Sequence, residues 1–98
     1  MAKYMVLFEV DTSKTPEDPK AKKAQWLSFE EPVAKLLKEG VIKEWCSFAG
    51  ELRGYMLFEG SIIDLHTLLA AWVPFVKFKT RELMTIDEVI KATKALPE

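Results

Sequence analysis

Apolar and polar positions follow two rhythms along this chain, one of about two residues and one of about 3.6. Tyr4 to Val10 is short, aromatic and β-branched, and reads as a strand. Asp11 to Pro19 holds Pro16 and Pro19 among several turn formers, so a loop follows. Asp18 before Pro19 suits an N-cap and first helical position, and the helix this opens should run to about Glu39, with Gly40 at C′. Trp26, Phe29, Val33, Leu36 and Leu37 share one face of it, while Lys20, Lys23, Lys35 and Lys38 lie mostly off that face. Pro32 has no N–H for the carbonyl of Ser28, which predicts a kink or local break there.

Val41 to Ala49 reads as a second strand, Gly50 to Arg53 as a turn, and Gly54 to Glu59 as a third strand, making a hairpin. Ser61, with Asp64 three residues on, caps a second helix whose predicted buried stripe is Ile62, Leu65, Leu69, Trp72 and Val73; Pro74 stops it. Phe75 to Leu83 sets Val76 and Phe78 against Lys77 and Lys79, a fourth strand with one apolar and one basic face. Thr85-Ile86-Asp87-Glu88 is a capping box, with Met84 and Val89 placed as its hydrophobic staple. The helix it opens carries Ile86, Val89, Ile90 and Leu96 as an apolar stripe.

The order β-α-β-β-α-β plus a C-terminal helix is the split βαβ plan, an α+β ferredoxin-like sandwich. Right-handed crossovers put both long helices on one sheet face and predict an antiparallel sheet of order 4-1-3-2. Residues 1–84 make up the sandwich and 85–98 the extra helix, all one domain. Two helices cover only one face of such a sheet. In the first strand Tyr4, Val6, Phe8 and Val10 point one way and Met5, Leu7 and Glu9 the other. In the third, Tyr55 and Leu57 oppose Met56 and Phe58. A strand with one wet face should alternate apolar and polar. These do not, so the open face is expected to pair with a second copy, giving a homodimer. The C-terminal helix is expected to pack against a sheet edge or across that dimer.

Composition narrows the class. The 98 residues suffice for one domain, and 49% hydrophobic content supplies a core. Lysine and arginine (14) nearly cancel aspartate and glutamate (15), a balance that argues against nucleic acid as the main partner. Arg53-Gly54-Tyr55 matches the start of an RNA-recognition strand motif, but Leu57 stands where a stacking aromatic belongs. The lone cysteine, Cys46, fits a reducing compartment. The N-terminal apolar run is too short for a signal peptide, and no stretch approaches the length of a membrane span. A soluble, cytoplasmic protein with no membrane partner is the expectation.

The Lys3-Tyr-Met-Val-Leu-Phe-Glu9 start, the hairpin from Trp45 through Phe48-Ala-Gly50 to Leu52-Arg-Gly-Tyr55, and the trailing helix resemble small prokaryotic proteins of the dimeric α/β-barrel superfamily. Muconolactone isomerase and the cofactor-free monooxygenases belong to that group. The resemblance covers nearly the whole chain and implies two sheets packed face to face, with a pocket between each sheet and its helices in several members. Some haem-degrading members use an Asn, Trp and His set. This chain has no asparagine, so haem chemistry is not carried over.

No catalytic or cofactor motif of high specificity is present. His66, the one histidine, sits at the flank of the second helix's stripe, where it is either a boundary residue or a general base at a pocket rim. One histidine and one cysteine give no metal-ligand spacing, and no cofactor is expected. Ser47, His66 and Asp64 contain the residue types of a triad, but no nucleophile elbow marks the serine. Glu9 and Glu59 sit at opposite sheet ends, too far apart to act as a carboxylate pair. Trp45, Tyr55 and Trp72 are either core or the walls of a pocket for a flat apolar ligand. If a site exists, it is expected between sheet and helices, near where Glu9 leaves the first strand and Arg53 enters the third. Arg53 would then fork an anionic group, unless it caps the hairpin or pairs with Glu9.

Overall fold

The computed structural model describes residues 2–97. Strand β1 (Lys3–Val10) is followed by a 3-10 turn (Thr12–Lys14) and helix α1 (Pro19–Lys38). Strands β2 (Ile42–Ser47) and β3 (Arg53–Glu59) precede helix α2 (Ile62–Leu69), strand β4 (Val76–Leu83) and helix α3 (Ile86–Lys94). The strands form one antiparallel sheet of order β2-β3-β1-β4, which is 4-1-3-2 read from the β4 edge. The result is an α+β fold with an open four-stranded sheet.

Local chemistry sets the element ends. The Asp18 carboxylate accepts from the Ala21 N–H at 2.9 Å, and Ser61 Oγ from the Asp64 N–H at 3.1 Å, each satisfying a donor that the first helical turn leaves free. Gly40 and Gly50 adopt φ of 77° and 79°, the left-handed conformation that ends α1 and turns the β2–β3 hairpin. Helix α1 runs unbroken through Pro32, contrary to the predicted break. Pro32 and Ser28 are both exposed, so water can serve the Ser28 carbonyl.

Both long helices cover the same sheet face. Tyr4, Val6, Ile42, Met56 and Phe58 form one buried cluster with Leu65 and Leu69 of α2. Val33 of α1, Trp72 and Val76 form a second, bridged to the first through Leu36, Leu37, Trp45, Leu68 and Phe78. The most deeply buried side chains are Val6, Ile42 and Leu65, each contributing roughly 1.5–3 kcal/mol by leaving water. The predicted α2 stripe needs correction: Leu65, Leu69 and Trp72 are buried, but Ile62 is 52% and Val73 57% exposed. The helix ends at Leu69, and residues 70–75 turn away, which takes Val73 off the helical period.

The opposite sheet face has no helix over it. Pairing of Met5 with Leu57 and of Leu7 with Tyr55 places these four on it as a half-buried apolar strip. Lys77, Lys79 and Arg81 line its β4 side, facing Glu9, Leu7 and Met5, and Glu44 stands on the β2 side. Lys3 and Glu59 form an ion pair at 3.9 Å across one end.

Helix α3 is capped as predicted. Thr85 Oγ1 accepts from the Glu88 N–H, and the Glu88 carboxylate accepts from the Thr85 N–H at 2.9 Å. That backbone bond holds the Glu88 carboxyl below its ordinary range. The expected packing against a sheet edge does not occur within the chain. Ile86, Val89, Ile90 and Leu96 are all 42% or more exposed, and α3 buries no side chain. The helix-covered face is already filled by α1 and α2, and the molecule is elongated, 62 × 26 × 23 Å.

Candidate functional site

A cleft of about 90 Å³ opens between the sheet and α1, at the end where β1 finishes in Val10 and β4 begins in Val76. Its wall on the sheet side is a stacked pair: the rings of Phe8 and Trp45 lie 5.0 Å apart and 11° from parallel. Two backbone features put them there. A bulge at Lys43 lets both Ile42 and Trp45 face the helices, although an odd separation would otherwise send them to opposite faces. Gly54 lies beneath the stack, where an added Cβ would overlap the Cys46 carbonyl oxygen and come 2.8 Å from the Phe8 ring.

The helix side is built from Trp26, Phe29, Glu30 and Val33, the α1 face that the sequence marks as apolar, joined by Trp72 from the turn after α2. Trp72 Nε1 donates to the Phe29 carbonyl at 3.2 Å, fixing that indole across the cleft floor. The indole N–H of Trp26 is buried with no partner among the described residues. Leaving such a donor unmet costs about 1–3 kcal/mol. Glu30, Glu51 and Ser47 are the other polar lining residues, and no lysine or arginine lines the cleft. Lys22 Nζ lies 5.8 Å from the centroid of the Trp26 ring, and Lys22 and Lys23 line a second depression that Trp26 and Glu30 also border.

The structure divides the residues singled out from sequence. Trp45 and Trp72 do line the cleft, at the predicted end of the sheet. Tyr55, Arg53 and Glu9 lie on the other face, because the strand parity that turns Gly54 and Met56 inward turns Arg53 and Tyr55 outward. His66 is exposed on α2 and lines neither depression. The expected convergence of Arg53, Tyr55 and His66 on one aromatic pocket is therefore not what the fold brings together. Arg53 does cap the hairpin: its Nε donates to the Glu51 carboxylate at 2.7 Å, and this bond holds the guanidinium pKa above its usual value. Glu9 is its partner across the strands and a weaker influence on its charge. On the open face, Arg53, Glu9, Lys77 and Lys79 surround a broad hollow with Leu7 and Phe48. There the Tyr55 hydroxyl donates to the Glu44 carboxylate at 2.8 Å. The neighbouring Cys46 and Glu44 side chains hold the Tyr55 pKa above its ordinary value.

Sequence reasoning missed Trp26 and Glu30 as lining residues. The signal was available: they stand four apart on α1, one turn along the edge of the Trp26-Phe29-Val33 face. Among the described residues no group of three or more potential metal-ligating side chains occurs, and no helix is long and apolar enough to cross a membrane.

Fold and cleft define a class: a small α+β protein whose open antiparallel sheet carries helices on one face and an aromatic cleft beneath α1. Beyond that class, no protein-family model matches the chain and no curated protein does either.

Proposed function

We propose that this chain is a ferredoxin-like protein of the dimeric α/β-barrel type that binds a small planar organic molecule between its sheet and α1. The observation that carries the reading is the cleft itself: stacked Phe8 and Trp45 facing Trp26, Phe29 and Trp72, with the Trp26 N–H buried and without a partner among the described residues. A pocket of mostly apolar, aromatic lining with few polar groups is the usual form of a small-molecule site. Flat rings gain from stacking on such walls as well as from leaving water. The polar lining suits recognition, so the function proposed is binding or sensing rather than a named reaction.

Three indole N–H groups make the test direct. In a ¹⁵N-labelled sample, Trp26, Trp45 and Trp72 each contribute one indole cross-peak, assignable by Trp→Phe variants. Titration with 4-ethylphenol should shift all three. If they stay fixed while open-face residues such as Leu7 and Leu57 move, the cleft is not the site.

The second part of the proposal is a homodimer through the open sheet face. Its support is the strip of Met5, Leu7, Tyr55 and Leu57 on a face without helices. Soluble monomers rarely leave large apolar patches wet. Charge favours a second copy as the occupant. A two-fold axis parallel to the strands lays the basic β4 side, with Lys77, Lys79 and Arg81, against the β2 side carrying Glu44. The exposed stripe of α3 adds apolar surface for the same contact. A cytoplasmic setting accords with the exposed free thiol of Cys46. A purely structural dimeric module is the alternative, favoured if no aromatic probe enters the cleft.

A further inference from the structure

The cleft's polar groups are unequal in sign, and this bears on which molecules it accepts. Its charged lining residues are Glu30 and Glu51, both acidic. Arg53 already holds Glu51 at 2.7 Å, which leaves that carboxylate compensated from the opposite sheet face. Glu30 has no ion-pair partner within 4.0 Å among the described residues. Trp26, four residues earlier on α1, offers the one buried lining donor without an acceptor. The i, i+4 spacing sets this donor and the Glu30 carboxylate about one helical turn apart on the same wall. Lys22 and Lys23 do not line the cleft; they share with Trp26 and Glu30 a second depression on α1.

We infer that the cleft selects small aromatic amines: a one- or two-ring system that stacks on Trp45, with a ring oxygen accepting from Trp26 and a protonated amine facing Glu30. This rests on the reading of the cleft as a ligand site. It reverses the sequence-based expectation of an anionic ligand. That expectation depended on Arg53, which strand parity carries to the other face. A carboxylate at the same place would meet Glu30 with no cation among the cleft's own lining residues to offset it. Glu30 is exposed, so the discrimination is screened by water and modest in size.

Three probes with the same phenol ring separate the terms: tyramine (cationic), 4-ethylphenol (neutral) and 4-hydroxyphenylacetate (anionic), each titrated against the full chain at pH 7 and low salt. The expected order of affinity is tyramine, ethylphenol, hydroxyphenylacetate, with about fivefold or more between first and last. Adding salt to about 0.5 M should shrink that ratio. In Glu30→Gln, on the exposed rim of α1, the ratio should fall towards one without a change in melting temperature. In Trp26→Phe, tyramine should lose its advantage over phenethylamine, which lacks the ring hydroxyl. Equal binding of tyramine and hydroxyphenylacetate overturns the charge inference and leaves the cleft reading standing. A preference that survives Glu30→Gln overturns the role given to Glu30. Failure of all three phenols to bind overturns the cleft reading and the inference with it.

Discussion

At the scale of single residues, Gly54 decides more of this site than any aromatic that lines it. The Phe8–Trp45 stack lies where a side chain at 54 would have to go, and the Cys46 carbonyl closes the other side of that space. Backbone cannot yield as a flexible side chain does, so any Cβ here forces β2 and β3 apart or displaces the Phe8 ring. Gly54→Ala is expected to destabilise the fold by about 2 kcal/mol, within the usual range for overpacking. For a chain of this length that lowers the melting temperature by roughly 8–16 °C. Near-UV circular dichroism should also change as the stack is disturbed. Wild-type melting and an unchanged aromatic spectrum would mean that the stack does not depend on the absence of a side chain at this position. Nothing in the sequence around Gly54 marks this role: the residue reads there as a strand start after a turn.

Among the elements, α3 is set apart by independence. Its capping box ties its first turn together without help from the rest of the chain. Its apolar stripe stays largely exposed in its own chain. An amphipathic helix usually draws most of its stability from packing its apolar face, so a helix with that face largely exposed is marginal alone. Removal of residues 85–98 should therefore leave the thermal stability of the dilute monomer within about 0.5 kcal/mol of the intact chain, as for surface changes generally. The same deletion should weaken association of the proposed dimer. Loss of the fold would show that α3 supports the sandwich. Unaltered association would show that its stripe does not serve the contact between copies.

For the whole molecule, the two sheet faces play different parts. One carries both long helices, the core and the cleft. The other presents an apolar strip between basic and acidic sides, the surface proposed to pair with a second copy. Sedimentation equilibrium at micromolar concentration should give twice the 11.2 kDa chain mass. Leu57→Asp, which sets a charge in the middle of the strip, should give the monomer mass with little loss of secondary structure. A wild-type monomer at that concentration would end the dimer proposal without touching the cleft.

The elements and their order can be read from the chain alone, because each depends on local chemistry. The alternation in β1 and β3, the caps at Asp18, Ser61 and Thr85, and the glycines after α1 and within the hairpin are all properties of a few neighbouring residues. The division of β1 and β3 into Tyr4, Val6 and Phe8 against Met5 and Leu7, and of Met56 and Phe58 against Tyr55 and Leu57, was legible in the same way. Which tryptophans and charges share a cavity was not, since that depends on parity carried across turns and between strands. The extra residue at Lys43 turned Trp45 inward, while the unbulged pairing of β3 turned Arg53 outward. The presentation of Trp26 and Glu30 to the cleft by α1, and the place of His66 away from it in solvent, follow from packing between elements. A helical period fixes which residues share a face, but the angle at which the helix crosses the sheet sets which edge of that face borders open space.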